Sequence, residues 1–323
     1  MPLLEVENLK MYYQTMRGWV QAVDDVSFEV APKESLGLAG ESGCGKTSAA
    51  LSILKLLPWN AKIVEGEIRL TGENILKLSD ADFRDQIRWK KVSMIFQGAM
   101  NALHPTYTIG HQIAEAILKH EKVSKKEAFE RATKLIELVG MESTKVNRFP
   151  HELSGGMKQR AVTAMAIACN PELIIADEPT TALDVIVQAQ VLKVMKELKS
   201  RLNIAMLVIS HDLSLIAEIC DKAAIMYAGK IVEKGTTVHI YKEGLHPYTQ
   251  KLISAFPSVL GPKTELSSIH GFPPDLLKPP TGCRFHPRCE LAMEVCRRKE
   301  PPLIEVQSKG HYAACFLHGG EKA

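Results

Sequence analysis

No stretch of this 323-residue chain is apolar for long enough to cross a bilayer. The longest candidate, Ala161 to Cys169, has nine residues and contains Thr163, against the ~20 a spanning helix needs. The opening stretch, MPLLEVENLK, does not read as a secretory leader, because two acidic residues interrupt any apolar core. A charge excess is missing too. Forty basic against 37 acidic residues leave +3, which gives no argument for a nucleic-acid partner. Internal repeats and low-complexity tracts are absent. Cys44, Cys169 and Cys220 are scattered, as suits a reducing compartment. These absences lead us to expect a soluble, cytosolic chain.

The composition that remains, 46% hydrophobic and 24% charged, is that of an ordinary globular protein. The length allows one large domain plus a small one. Residues 3 to about 75 carry period-two apolar positions and predict strands. From about Leu78 to Leu138 helical patterns prevail, as in KKEAFERATKLIELVG, closed by Gly140. ELIIAD and IAMLVISHD are short apolar runs ending in polar residues, as buried parallel strands do. QAQVLKVMKELKSRL predicts an amphipathic helix between them, and KAAIMYAGKIVEKG a hairpin turning at Ala228-Gly229-Lys230. The mixture is α/β with a helical insertion. Seven of the 17 prolines lie between Pro273 and Pro302, which predicts a small appended unit poor in regular elements.

GESGCGKT, comprising Gly40, Glu41, Ser42, Gly43, Cys44, Gly45, Lys46 and Thr47, follows a strand-like run and precedes a helix-like one. Its glycines let several N–H groups surround phosphate oxygens, and the helix start adds its dipole. In this pattern Lys46 meets the β- and γ-phosphates and Thr47 puts its hydroxyl on Mg2+. Ser48 is a candidate for a further phosphate contact. A bare glycine turn with an exposed lysine is the plainer alternative, and the flanking pattern argues against it. In LIIADEPT, Leu173 to Thr180, Asp177 ends an apolar strand and is placed to hold a Mg2+-bound water, with Glu178 next to it to polarise an attacking one. Two adjacent carboxylates in a solvated turn would look the same in isolation. His211 ends another apolar run and suits a γ-phosphate contact, although a lone histidine is more often structural.

LSGGMKQR, Leu153 to Arg160, adds Ser154, Gly155, Gly156 and Met157 at a helix start, where exposed amides would receive a second phosphate. Together with the features above, it resembles the signature of the ATP-binding cassette (ABC) ATPases, over about residues 3 to 240. That resemblance implies an ABC-type P-loop NTPase core with an antiparallel β subdomain and a helical subdomain at about 98–165. It implies ATP between Tyr13, the residues Gly40 to Ser48 and Gln97 of this chain and the signature of a second cassette. It also implies that Gln97 joins Thr47 and Asp177 around Mg2+, that Glu178 and His211 are catalytic, and that Asp184 of TALD belongs to the loop that crosses between subunits. Tyr13 sits where the family stacks an aromatic on adenine, with Tyr12 as neighbour. Two positions depart from the family pattern. Met157 stands where glutamine is frequent, and Gly98-Ala99 where many relatives have an acidic residue and proline.

Residues 241–323 form the expected C-terminal extension. LHPYTQKLISAFP, Leu245 to Pro257, followed by Cys283, Cys289, Cys296 and Cys315, resembles the ATP-binding subunits of dipeptide and oligopeptide importers. The spacing C-x5-C-x6-C-x18-C lacks the close pairs of structural zinc sites. Four thiolates suit an iron–sulfur cluster, and the resemblance implies a 4Fe-4S cluster. Zinc bound with the help of His286, His311 or His318, or free or disulfide-linked cysteines, are the alternatives. A metal centre would hold together a unit too small to bury much core.

The expected partners are a second cassette ATPase (a paralogue, giving a heterodimer), two transmembrane permease subunits and an extracytoplasmic solute-binding protein. The expected location is the cytoplasmic face of the membrane. The solutes expected from this branch are peptides, oligosaccharides or nickel. A DNA-repair-type cassette ATPase would place a long coiled coil before the signature. Only 107 residues separate Lys46 from Ser154, without sustained heptads. A translation-type factor usually carries two cassettes, and this chain carries one.

Overall fold

The computed structural model describes residues 1–98, 101–255, 269–306 and 309–319. Ala99 and the Phe256-Pro257 end of the histidine-proline-tyrosine segment lie outside the described residues. The chain folds as two compact units, one of residues 1–3, 30–35 and 71–209, the other of 4–29, 36–70 and the part from 210 onward.

In the first unit three strands, β6 (Val92–Ile95), β7 (Leu173–Asp177) and β8 (Ala205–Ser210), pair in parallel, β6 with β7 and β7 with β8. Every residue of β7 and β8 is buried, which is why their sequences are near-continuous apolar runs rather than alternating ones. β6 lies within the segment whose periodicity predicts helix. Its four residues, VSMI, are too few to display a period of two, so pairing with β7 decides the conformation. Around these strands pack α3 (Ile109–His120), α4 (Lys125–Leu138), α5 (Gly155–Ala166) and α6 (Val185–Leu202). Their shared core is small and aliphatic: Ile113, Ala128, Ala132, Ile136, Ala161 and Ala164 are buried in it. The hydroxyls of Thr108 and Ser124 accept the third amide of α3 and α4 and fix where each helix begins. Short helical turns and a two-residue strand, β5 (Glu73–Asn74), together with α2 (Asp80–Asp82), lead into β6.

In the second unit β1 (Leu4–Thr15), β2 (Gly18–Val30) and β4 (Ala61–Leu70) form a sheet with β1 in the middle. β1 and β4 run antiparallel from Leu4↔Leu70 to Tyr13↔Ala61. A further sheet contains β3 (Ser35–Ala39), β9 (Lys222–Tyr227) and β10 (Lys230–Thr236), with β3 parallel to β9 and β10 folded back on β9. The hairpin turn falls at Ala228 and Gly229, both at positive φ. α1 (Lys46–Ile53) follows β3, and α7 (Leu213–Ile219), α8 (Thr237–Lys242) and α9 (Pro247–Ser254) come before the cysteine segment.

That segment is poor in regular structure, as its prolines predict: α10 (Glu294–Arg298) has five residues, and β11 (Ile304–Glu305) and β12 (Tyr312–Ala313) have two each. It does not stand apart from the strands before it. β12 pairs with β10, Glu233 opposite Ala313. The carboxylate of Glu233, fully buried, accepts hydrogen bonds from the amides of Leu245 (2.9 Å) and His246 (2.8 Å) and from His311 Nε2 (2.8 Å). One side chain of β10 thereby fixes both the start of α9 and the final hairpin.

Candidate nucleotide site and cysteine cavity

The loop between β3 and α1 is built by glycines where nothing else fits. A Cβ on Gly40 would lie 2.1 Å from the Met226 carbonyl oxygen, and one on Gly45 2.1 Å from that of Ala22. Both sit at positive φ, where side chains are strained. Gly43 faces open space instead, and Ser42 and Thr47 are exposed at the loop's mouth. Lys46 is buried, and its ammonium spans the loop, donating to the carbonyls of Gly40 (2.7 Å) and Glu41 (3.0 Å). The backbone therefore closes around a cation at the amino end of α1, the arrangement an anion of phosphate shape requires. Cys44 is inert here: burial raises its thiol pKa. Tyr13, from β1, reaches the same helix start, its hydroxyl 3.0 Å from that of Ser48.

Asp177, at the last position of β7, is 1% exposed. Glu178 follows at φ 49, a left-handed backbone that a non-glycine residue holds only when its surroundings impose it. Its amide donates to Ile209 at the end of β8 (2.9 Å), and its carboxylate accepts from the Thr181 hydroxyl (3.1 Å). The turn thus aims a carboxylate out of the strand end. Asp184 caps α6 through the Val187 amide (2.9 Å) and is exposed. Ser154 caps α5 through Met157 N–H (3.4 Å). Gly156 has a packing reason of its own, since a Cβ there would lie 2.4 Å from a methyl of Val187. Gln97 and His211 are exposed.

Tyr13, the residues Gly40 to Ser48, His211 and the four cysteines thus belong to the second unit. Gln97, Ser154, Asp177, Glu178 and Asp184 belong to the first.

The four cysteines, 32 positions apart from first to last in the sequence, line one small cavity together with His246, Phe285, His286 and Leu317. None is in a disulfide. Burial pushes Cys283 and Cys315 up to about 11, with the other cysteines adding to the effect. Among the described residues no three His, Cys, Asp or Glu side chains are grouped as a single metal ion would require. Two of the candidate histidines are committed elsewhere: His311 to Glu233, and His318 Nε2 to the Leu245 carbonyl (2.7 Å).

His-Pro-Tyr also acquires a mechanical sense. His246 caps α9 by accepting the Tyr248 amide at Nδ1 (3.0 Å), Pro247 takes the first helical position, and the Tyr248 hydroxyl accepts the Glu41 amide of the phosphate loop (2.9 Å). His246 is fully enclosed, and burial lowers its pKa to about 4, so it caps as the neutral imidazole.

Sequence reasoning passed over two arginines. Arg284 is bonded to Asp24, to Gln21 (2.8 Å) and to the Ala228 carbonyl. Arg288 grips Glu41 with both ends of its fork, 2.7 and 3.0 Å. The available signal was local: each arginine lies next to a cysteine in a proline-broken segment with little else to bury.

Comparison with known proteins shows which family this chain resembles. A family model described as ABC transporter matches residues 23–181, and one described as Oligopeptide/dipeptide transporter, C-terminal region, matches residues 232–296. The chain is 46% identical to a probable peptide ABC transporter ATP-binding protein of Sinorhizobium fredii, over 97% of this chain and 94% of that protein. It is 44% identical to the oligopeptide transport ATP-binding protein of Bacillus subtilis, over 98% of this chain and 89% of the relative. With the dipeptide transport ATP-binding protein of the same organism it shares 43% identity, over 98% and 94%. A solved dimeric ATP-binding cassette in a post-hydrolysis state, bound to ADP and Pi, superposes with a TM-score of 0.64 at 25% identity, covering 72% of this chain and 98% of the other.

Proposed function

The chain belongs to the ATP-binding proteins of oligopeptide and dipeptide ABC transporters, and we infer that it binds ATP at the loop around Lys46 and hydrolyses it to power import of peptides. The observation that carries this reading is the phosphate loop itself, whose backbone is shaped by Gly40 and Gly45 and closed over a buried ammonium. Among the described residues no helix is long and apolar enough to cross a membrane. Peptide-importer ATPases of this family work with membrane permeases, and we assign passage of the solute to such partners.

In this reading the loop amides and Lys46 hold the β- and γ-phosphates. Thr47 and Asp177 supply hard oxygen donors of the kind Mg2+ takes, with Gln97 as a third. When bound there, Mg2+ would supply neutralisation of charge developing on the transferred phosphoryl group. Glu178 accepts the proton of the water whose oxygen attacks the γ-phosphorus, while the bond to the β–γ bridging oxygen breaks and ADP departs. His211 orients that water, and Tyr13 stacks on the adenine. The amides at Ser154, Gly155 and Gly156 receive the nucleotide of a partner cassette, and Asp184 lies in the loop facing that partner. The partner is a paralogue, and an external solute-binding protein delivers the cargo.

The cysteine cavity supports a 4Fe-4S cluster held by Cys283, Cys289, Cys296 and Cys315. Four thiols around one cavity suit a group with four attachment points. When bound, the cluster supplies covalent cross-links to a segment with little core of its own.

Phosphate release from Mg-ATP by the purified chain tests the central reading. Release is expected and should disappear in Lys46→Ala together with nucleotide affinity. Unchanged affinity in that variant would refute the loop assignment.

A further inference from the structure

Glu41 is the second residue of the phosphate loop, and every polar group it has is held. Its carbonyl accepts from Lys46 (3.0 Å), its amide donates to the Tyr248 hydroxyl (2.9 Å), and its carboxylate takes both ends of the Arg288 fork. Two of these three restraints come from beyond residue 240. Tyr248 stands in α9, and Arg288 in the turn between Cys283 and Cys289.

Arg288 is itself fixed from all sides. Its side chain is 5% exposed. Nε donates to the His270 carbonyl (2.9 Å), and Nη2 is within 3.3 Å of that of Gly271. The guanidinium lies over the Tyr227 ring, 5.7 Å from its centre. A planar fork with two bonds to one carboxylate fixes orientation as well as distance. The loop's own bonds supply only part of that order: the Cys44 amide reaches the Glu41 carbonyl at 3.3 Å, and Ser42 and Gly43 are exposed, with nothing within 4 Å of a Gly43 side-chain position.

We propose that Arg288 is a positioning residue for nucleotide binding: through Glu41, and together with Tyr248, it holds the phosphate loop in its anion-receiving shape, so that the cysteine-bearing segment sets nucleotide affinity. The inference rests on the assignment of the loop around Lys46 as the phosphate site. Pre-ordering a loop raises affinity by removing an ordering cost from the binding step.

The test is titration calorimetry of the purified full-length chain with Mg-ADP, where stoichiometry reports the folded fraction and Kd the affinity of that fraction. Arg288→Lys keeps the charge and loses the fork, and it should raise Kd about tenfold. Glu41→Gln should do the same. Because both act on one contact, the double variant should also sit near tenfold rather than at the product of about a hundredfold. Tyr248→Phe should raise Kd severalfold. A purely structural role would lower stoichiometry and leave Kd unchanged, and that result overturns the proposal. So does a double variant at the product. If Arg288→Lys does not fold, Glu41→Gln alone decides, since its substitution is on the loop. Lys46→Ala separates the two readings. Should it leave Kd unchanged, the loop assignment fails first. Should it weaken binding while the Arg288 and Glu41 variants do not, only the present inference fails.

Discussion

Replacing Glu233 by glutamine removes one charge and exchanges a single oxygen for an NH2 group, yet the surroundings predict a large effect. One carboxylate oxygen accepts from Leu245 N–H and His311 Nε2, the other from His246 N–H. Glutamine offers one oxygen and one NH2. Whichever way the amide is turned, a backbone N–H meets another donor. Two or more charge-assisted bonds become neutral or are lost, and each is worth about 1.5–3 kcal/mol, with a similar cost for a buried donor left unpaired. Since Glu233 is fully buried, water cannot compensate. Two such bonds come to about 3–6 kcal/mol. At about 2–4 °C of Tm per kcal/mol, the value for chains of about 150–250 residues and an upper bound for this longer one, the melting temperature should fall by up to roughly 6–24 °C. Thermal and urea unfolding measure the loss, and amide hydrogen exchange locates it, with Leu245 and His246 losing protection first. A Tm within about 1 °C of the parent, with unaltered exchange at those two amides, would refute the reasoning.

Other outcomes follow from the same structure. Glu178→Gln should keep Mg-ATP binding while turnover falls by about 10²–10⁴-fold, as for loss of a general base; chromatography in ATP should then show a trapped dimer, and undiminished turnover would remove Glu178 from that role. Gly45→Ala forces a Cβ to within 2.1 Å of the Ala22 oxygen at φ 106, so nucleotide affinity should drop by at least about tenfold even where circular dichroism shows a folded chain; unchanged affinity would mean the loop tolerates a shape quite unlike this one. Anaerobic preparations should contain about four iron and four sulfide per chain, lost in Cys296→Ser. Metal-free protein, or zinc in stoichiometric amount, would dismiss the cluster.

The sequence disclosed what is written in consecutive residues. The loop between β3 and α1 is a backbone device whose glycines and lysine must follow one another, so GESGCGKT announces its shape. The strand ends at Asp177 and His211 could be read because buried parallel strands are short apolar runs with polar exits. The hairpin at Ala228 and Gly229 followed from turn chemistry. β6 escaped because four residues cannot establish a period and the sequence around them favours helix. The Arg288–Glu41 pair escaped for a deeper reason. Its members are 247 positions apart, and no spacing rule links a residue beside a cysteine to the second residue of a glycine loop. Likewise Gly156 looked like part of a phosphate receptor, and only the packed helices reveal that Val187 also demands its smallness.

The pairing of β12 with β10 bears on how this protein can be trimmed. Cutting the chain after residue 240, at the apparent end of the nucleotide-binding part, would strip the outer partner from β10 and leave unpaired N–H and C=O groups along it. An edge of that kind recruits other chains. The same cut would leave the Glu233 carboxylate without its three donors and Glu41 without the restraints from Tyr248 and Arg288. The shortened protein should therefore self-associate, and whatever remained monomeric should bind nucleotide poorly, even though every residue of its phosphate-binding motif had been kept.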